Sequence, residues 1–237
     1  MADDEILRRI RAVEWYHAIE VAPGVVTPGR YDPKPMLPQM GFPDDLTGKT
    51  VLDIGSYDGF FAFEAEKRGA ERVLAVDRHP ASQFGFATAH EILKSRVEYT
   101  VGSVYDLSPQ SHGAFDVVIF FGVLYHLRHP LLAFDRIHSV CREYALVESH
   151  VLDNAFIHGG RHIPLDQIDP RLGEVCLAQY YPANELNGDW SNWWALNVEC
   201  LRAMLATSGF TPELQGRWGD RAAFRATRNE FVRPHWY

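Results

Sequence analysis

Cysteine is scarce in this chain: Cys141, Cys176 and Cys200 are the only three among 237 residues. None forms a C-x-x-C pair, and an odd count without a secretion signal excludes a disulfide framework and favours reduced, structural thiols. Long apolar runs are also missing. The longest, Val117 to Tyr125, falls far short of the ~20 residues a spanning helix needs. The opening "MADDEILRRIRAVEW" is too charged for a signal peptide. These absences predict a cytoplasmic protein without a membrane segment. There is no run of five or more lysines or arginines, and the formal charge of -8 is spread along the chain, so no basic track for a phosphate backbone stands out. The richest basic stretch, "GRWGDRAAFRATRNEFVR", interleaves its arginines with apolar residues at strand spacing and reads as a solvated sheet edge.

What is present is a folding composition. Hydrophobic content of 46% against 23% charged residues, with no repeat or low-complexity tract, predicts one globular domain. A chain of this length buries roughly 70 to 75% of its unfolded surface. Through its middle, short apolar stretches alternate with amphipathic ones. "TVLDIG", "RVLAVD", "VEYTVG", "FDVVIFFG" and "YALVESH" read as strands, rich in β-branched or aromatic residues. "GFFAFEAEKRGA", "ASQFGFATAHEILKSR", "HPLLAFDRIHSVC" and "NVECLRAMLATSGF" read as helices, the last followed by a terminal hairpin. Continuously apolar strands separated by helices predict a doubly wound α/β fold, its parallel sheet covered on both faces and ligands at the carboxyl ends of the strands.

Two flanks break this alternation. Residues 1–48 start as a helix and run into a proline- and glycine-rich stretch, an expected N-terminal cap on a domain spanning 49–237. Residues 151–195 are irregular and hold Tyr180, Tyr181, Trp190, Trp193 and Trp194. A long loop rich in rigid aromatics reads as a lid insertion.

The stretch "VLDIGSYDGFF", residues 51–61, turns tightly between two glycines. Gly55 lets the backbone turn sharply beside a ligand, and Gly59 lets the following helix start pack closely. About twenty residues on, Asp77 ends the second strand, where its carboxylate can accept both ribose hydroxyls of a nucleotide-like molecule. In the alternative, the glycines only shape a turn and Asp77 caps the next helix. NAD-type turns read G-x-G-x-x-G, whereas this one reads D-x-G-x-x-x-G. The acid two residues ahead of the first glycine favours S-adenosylmethionine, whose methionyl amino group Asp53 can reach. Ser56 belongs to the same turn. Ser103 and Val104, after the third strand, would flank the adenine, and Gly122 opens the segment facing the sulfonium.

At these residues the sequence resembles the class I S-adenosylmethionine-dependent methyltransferases. Within them, "GVLYHLRHPL" and "EWYHAIEVAPGVVTPG" are most similar to the group that includes the bacterial tRNA wobble-uridine carboxymethyltransferase. The resemblance implies a Rossmann-like, mostly parallel seven-stranded sheet with an antiparallel hairpin at its end. It also places Tyr125 and Arg221 where two groups gripping the extra carboxylate of carboxy-S-adenosylmethionine are expected. A third such group, a lysine, is replaced by His17, a weaker and pH-dependent partner for a carboxylate. Tyr57 stands where the usual G-x-G-x-G has its middle glycine. The 237 residues hold no long basic extension ahead of the core, which the tRNA enzyme is expected to carry. Plain methyl transfer to a small-molecule metabolite or natural product is therefore expected, ahead of tRNA carboxymethylation or a catalytically silent cofactor-binding protein.

Methyl transfer is an in-line displacement, so near-attack positioning and removal of a proton are the protein's tasks. His126, directly after Tyr125, is the first candidate base, with a loop-orienting role as its alternative. His17 and His150 are weaker candidates. Trp193, Trp194 and Asn197 suit a lid over an apolar or sugar-like acceptor, because indoles bury large area and an amide can orient a polar handle. No metal is expected: "HGGRH" sets His158 and His162 four apart, but its two glycines disfavour a helix that would align them.

Overall fold

A computed structural model of the chain describes residues 2–229. Its central sheet has seven strands: β1 (Thr50–Ile54), β2 (Arg72–Asp77), β3 (Glu98–Val101), β4 (Phe115–Phe121), β5 (Cys141–His150), β6 (Phe210–Trp218) and β7 (Arg221–Arg228). Their spatial order is β6-β7-β5-β4-β1-β2-β3. The first five are parallel, and β6 and β7 close the sheet as an antiparallel hairpin. Strand order reverses at β1, which pairs with β2 on one side and β4 on the other. In open α/β sheets that reversal opens a crevice at the carboxyl ends of the strands.

Alternation along the strands feeds two cores. Leu52, Ile54, Val118, Phe120 and Val147 face one side, where α4 (Pro130–Val140) and α5 (Val198–Thr207) contribute Phe134, Ile137, Leu201 and Leu205. Val51, Val73, Ile119 and Leu146 face the other, against Phe60, Phe61 and Phe86 of α2 (Phe60–Lys67) and α3 (Phe86–Leu93). The N-terminal segment, beginning with α1 (Ala2–Arg11), adds Trp15, Ile19, Leu37, Met40 and Phe42 to this second core. Phe60, Phe134 and Phe224 are buried to 1% exposure or less, and truncating such a ring to alanine typically costs about 3 to 5 kcal/mol.

Helix ends follow local chemistry. Pro130 opens α4 in the first turn, where its missing N–H is one that no intrahelical bond would use. Asn197 caps α5, its side chain accepting a hydrogen bond from the Cys200 N–H at 2.9 Å. The helix expected over 81–96 forms only over Phe86–Leu93. Ahead of it, Phe84 turns to stack on Tyr57 with ring centroids 4.0 Å apart. Behind it, Lys94 takes a left-handed φ of 52° that stops the helix.

Three expectations are corrected. The arginine-rich stretch near the C-terminus is a sheet edge only over residues 216–218, which end β6, one of the two edge strands: β7 lies between β5 and β6, with Ala222, Ala223, Phe224 and Ala226 buried; residues 230–233 of the stretch fall outside the described residues. Cys141 and Cys200 are buried, but Cys176 is exposed and fills no core. Residues 151–195 are less irregular than their sequence suggests. They form the hairpin Phe156–His158 with Arg161–Ile163, and the strand Ala178–Tyr180 pairs with Trp194–Leu196. Leu152, Ile157, Leu165, Tyr181, Leu186 and Ala195 give this segment a small core of its own. Among the described residues, no helix is long and apolar enough to cross a membrane.

Candidate functional site

The turn after β1 is built on backbone hydrogen bonds to β2 and to itself. The Gly55 N–H donates to the Val76 carbonyl at 2.8 Å, and the Gly59 N–H donates to the Ser56 carbonyl at 2.7 Å. Both glycines are left-handed, with φ of 75° and 89°. A Cβ on Gly55 would lie 2.3 Å from Val123 Cγ2, and one on Gly59 would lie 2.6 Å from the Phe63 ring, so either side chain would push the turn off the site. Tyr57, where the resemblance expects glycine, adopts the left-handed conformation as well, at φ 51°. The turn thus keeps a glycine-like path without the glycine.

Three aspartates sit around this turn. Asp53 is 2% exposed, and its Oδ2 has no hydrogen-bond partner. Burial pushes its carboxyl up to about 8, with the nearby Asp77 charge adding to the effect and the Ala62 N–H opposing it. Asp77 accepts the Tyr57 N–H on Oδ2 and the His79 N–H on Oδ1, both at 2.9 Å, so it braces the turn and still has lone pairs for a ligand. Asp58 is fully buried and holds the N-terminal segment: Oδ2 accepts the Tyr16 and His17 N–H groups at 2.8 and 2.7 Å, and Oδ1 meets His17 Nδ1 at 2.5 Å. His17, expected to touch substrate, is therefore engaged through Nδ1 in pinning the N-terminal segment to the turn. Asp58 went unassigned in the sequence although it directly precedes Gly59.

Beside the turn, the buried Ser56 Oγ has no hydrogen-bond partner. After β3, Ser103 caps the short turn Val104–Asp106, and Val104 buries its side chain in the core. Only Ser103 of that pair keeps its side chain near the surface.

At the ends of β4 and β5 a second group of polar side chains gathers. Gly122 has a left-handed φ of 71° and donates its N–H to the Glu148 carbonyl at 3.1 Å. Arg221 Nε lies 2.7 Å from Glu148 Oε1, and its Nη2 donates to the Tyr125 hydroxyl at 3.3 Å. Burial alone would lower the guanidinium's pKa, but the Glu148 carboxylate, together with Tyr125 and Tyr16, outweighs this and holds Arg221 above its ordinary value. Tyr31 is pushed up to about 12 by burial and by the Glu148 charge. His150, buried on β5, meets Asp220 through Nδ1 at 3.1 Å and leaves Nε2 without a partner.

His126 lies over this group, its ring 4.4 Å from that of Tyr125. Its Nδ1 is 2.9 Å from Ser191 Oγ, and Ser191 Oγ donates to Asp189 Oδ1 at 2.7 Å. Burial lowers the imidazole pKa, against the Asp189 charge. The Trp193 N–H donates to the Tyr125 carbonyl at 2.8 Å, which brings the aromatic segment onto the loop after β4. Trp193 and Trp194 are both half-buried, with Arg128 over the Trp193 ring at 5.2 Å. Trp194 opens the strand Trp194–Leu196 and Trp193 directly precedes it, so neither stands at a helix start, since α5 begins only after Asn197.

Asn197 does not present a handle to an acceptor. It is completely buried; Oδ1 accepts the Leu177 and Cys200 N–H groups, and Nδ2 donates to the Leu172 and Val175 carbonyls. All of its hydrogen-bonding capacity lies inside the protein. His158 and His162 fall on opposite faces of their hairpin, because Ile157 pairs with His162 and His158 with Arg161. Asp189 and Ser191 were not singled out from sequence. "D-W-S" signals a local turn, which forms with the Ser191 N–H 2.8 Å from Asp189 Oδ1, but contact with His126, 65 residues away, has no local signal.

Comparison with known proteins shows the family and the fold. The family described as "Methyltransferase domain" matches residues 30–213. A tRNA U34 carboxymethyltransferase of Campylobacter hominis is 32% identical over 137 residues, covering 58% of this chain and 46% of that one. Its counterpart in Desulforapulum autotrophicum is 26% identical over 165 residues, covering 69% and 50%. The chain thus spans about half the length of these relatives. Among solved structures, the N-terminal domain of EvdMO1, crystallised with S-adenosylhomocysteine (SAH) and D-fucose, has a TM-score of 0.66 at 18% identity and covers 97% of both chains. Magnesium protoporphyrin IX methyltransferase from Synechocystis PCC 6803, crystallised with SAH, reaches 0.53 at 16% identity, covering 78% of this chain and 75% of that one. At such identities the likeness speaks to the fold.

Proposed function

The chain belongs to the methyltransferase-domain family, and from that premise we propose that it transfers a methyl group from S-adenosylmethionine to a small-molecule acceptor, a metabolite or natural product. The carrying observation is the unpartnered carboxylate oxygen of buried Asp53 beside the Gly55 turn. An isolated buried carboxylate is costly, and a ligand ammonium relieves it with charge and hydrogen bonds at once. The methionyl amino group of S-adenosylmethionine fits that need, and a dinucleotide lacks one. Ser56 Oγ would share in its binding, and Asp77 would receive the ribose hydroxyls on its remaining lone pairs. Gly122 and Tyr125 would face the reacting centre.

S-adenosylmethionine supplies an electrophilic methyl carbon next to a positively charged sulfur. The chain's own part is to aim the acceptor, exclude water and accept a proton. Trp193 and Trp194 form an aromatic lid over the ends of β4 and β5, and His126 is the base we assign. Titration with SAH and turnover of methyl-labelled S-adenosylmethionine with a panel of hydroxylated metabolites test the reading. Absence of SAH binding overturns it.

A second reading, carboxymethyl transfer to a tRNA wobble uridine, draws on the names of the relatives and on the 3.3 Å contact between Tyr125 and Arg221. Against it, Glu148 already neutralises Arg221, and His17 is bound to Asp58, so little positive charge is left to hold a donor's extra carboxylate. Retention of total tRNA at physiological salt, together with preference for carboxy-S-adenosylmethionine over S-adenosylmethionine, would favour this reading instead.

A further inference from the structure

Ser191 decides which nitrogen of His126 carries the proton. Its hydroxyl has one hydrogen, and Asp189 Oδ1, 2.7 Å away, takes it. Asp189 is held ionised: burial would raise its pKa, but the Ser191 hydroxyl and N–H together lower it. With its hydrogen committed, Ser191 Oγ can only accept from His126 Nδ1, 2.9 Å away. The Ser191 carbonyl oxygen, 3.4 Å from the same nitrogen, is also an acceptor and nothing else. The short Oγ contact requires a hydrogen on Nδ1, whereas the carbonyl, at the outer limit of hydrogen-bond distance, is compatible with that tautomer but too far to hold it alone. The Nε2 lone pair is then free, and among the described residues no side chain or backbone group binds it.

We propose that Asp189 and Ser191 are positioning residues that hold His126 as the Nδ1–H tautomer, so that its Nε2 lone pair takes the proton of an acceptor hydroxyl when the aromatic segment lies over the site. The inference rests on the methyl-transfer reading and narrows it to acceptors that must lose a proton at oxygen. The hydroxyl proton passes to Nε2 as the oxygen's electron pair forms the bond to the methyl carbon, and the sulfur keeps the electron pair of the broken C–S bond. The resulting imidazolium donates through Nδ1 to Ser191, which passes the stabilisation on to the Asp189 carboxylate. A neutral imidazole beforehand is favoured by burial and by the positive charges of Arg78 and Arg221, with Asp189 opposing them; the Tyr125 ring packs against the same imidazole. Because Asp189 and Ser191 belong to the aromatic segment and His126 to the loop after β4, the base is correctly set only while the two are together.

Nitrogen-15 spectra of histidine-labelled protein with saturating SAH test this, with H126Q identifying the His126 signals. Wild type should show His126 in the Nδ1–H form. S191A should lose that form in favour of the Nε2–H tautomer preferred by an unconstrained histidine side chain, S191T should restore it, and D189N should weaken it. An Nε2–H tautomer in the wild type, or an Nδ1–H form that survives S191A, would overturn the proposal. SAH titration of the same samples separates the two levels: unchanged affinity with a lost tautomer supports the relay, whereas no affinity in the wild type sinks the donor reading. If H126Q does not fold, H126N makes the same assignment.

Discussion

Glu148 and Arg221 meet across neighbouring strands β5 and β7, with Oε1 and Nε 2.7 Å apart and the carboxylate almost wholly withdrawn from water. Two charges held this way support each other but contribute little over an apolar pair, because each has lost its hydration. The consequence is an asymmetry. Glu148→Gln leaves the guanidinium without its counter-charge, and loss of one partner of a buried pair costs about 3 to 5 kcal/mol. Arg221 keeps some exposure, which puts the expected value near the lower end. Replacing both, with Glu148→Gln and Arg221→Met, should recover much of the loss. Urea unfolding of the three variants checks the order, and a double variant no better than the single one would contradict it.

Asp53 predicts a pH dependence whose sign is fixed. Its folded pKa, about 8, lies above the ordinary 3.8, so the folded state holds a proton that the unfolded chain releases. The stability this gives is fully present below pH 4 and is lost as pH rises through 8. Asp53→Asn should flatten that part of the stability profile and make the ligand-free protein the more stable of the two at pH 8. It should also weaken SAH binding. In the wild type a bound ammonium favours the ionised carboxylate, so binding at pH 7 should release a proton. Calorimetry in two buffers of different ionisation enthalpy would detect it, and identical apparent enthalpies would show that Asp53 does not face the amino group.

Asp77→Ala should weaken SAH binding by about 1 to 3 kcal/mol, the scale of a charge-assisted hydrogen bond. Part of that loss would be indirect, because Asp77 also braces the Tyr57 and His79 N–H groups. Asp77→Asn keeps one acceptor oxygen and should lose less. Equal affinity in wild type and Asp77→Ala would mean the ribose lies elsewhere.

The sheet was legible because buried parallel strands have a local signature: an apolar run of the right length bounded by turn residues. β1, β2, β4, β5 and the glycine turn carry it, as does Asp77 at a fixed distance downstream, whereas β3 is a largely exposed edge strand that showed only through its β-branched and aromatic residues. The interior place of β7 did not show, since its arginines alternate with alanine and phenylalanine, and only pairing with both β5 and β6 makes that pattern an inner strand. Asn197 misled for a similar reason: a helix-capping amide and a ligand-binding amide look alike in sequence, and burial tells them apart. Asp58 with His17, and Asp189 with Ser191 and His126, are contacts across 41 and 65 residues. Such pairs arise from tertiary packing and leave no local spacing to read.

Tyr57 offers a test of how the turn tolerates its missing glycine. A left-handed φ costs a side-chain-bearing residue roughly 1 to 2 kcal/mol relative to glycine. Against that, Tyr57 stacks on Phe84 with centroids 4.0 Å apart and planes within 16°, a contact worth about 0.5 to 1.5 kcal/mol beyond its buried area. Tyr57→Gly relieves the strain, forfeits the stack and adds freedom to the unfolded chain worth about 0.4 to 1 kcal/mol. It should therefore be slightly less stable than wild type. Tyr57→Ala forfeits the stack and keeps the strain, so it should be the least stable of the three. Thermal unfolding gives the order directly. If alanine and glycine are equally stable, the backbone at 57 relaxes once the ring is gone, and the stack on Phe84 is what holds the turn left-handed.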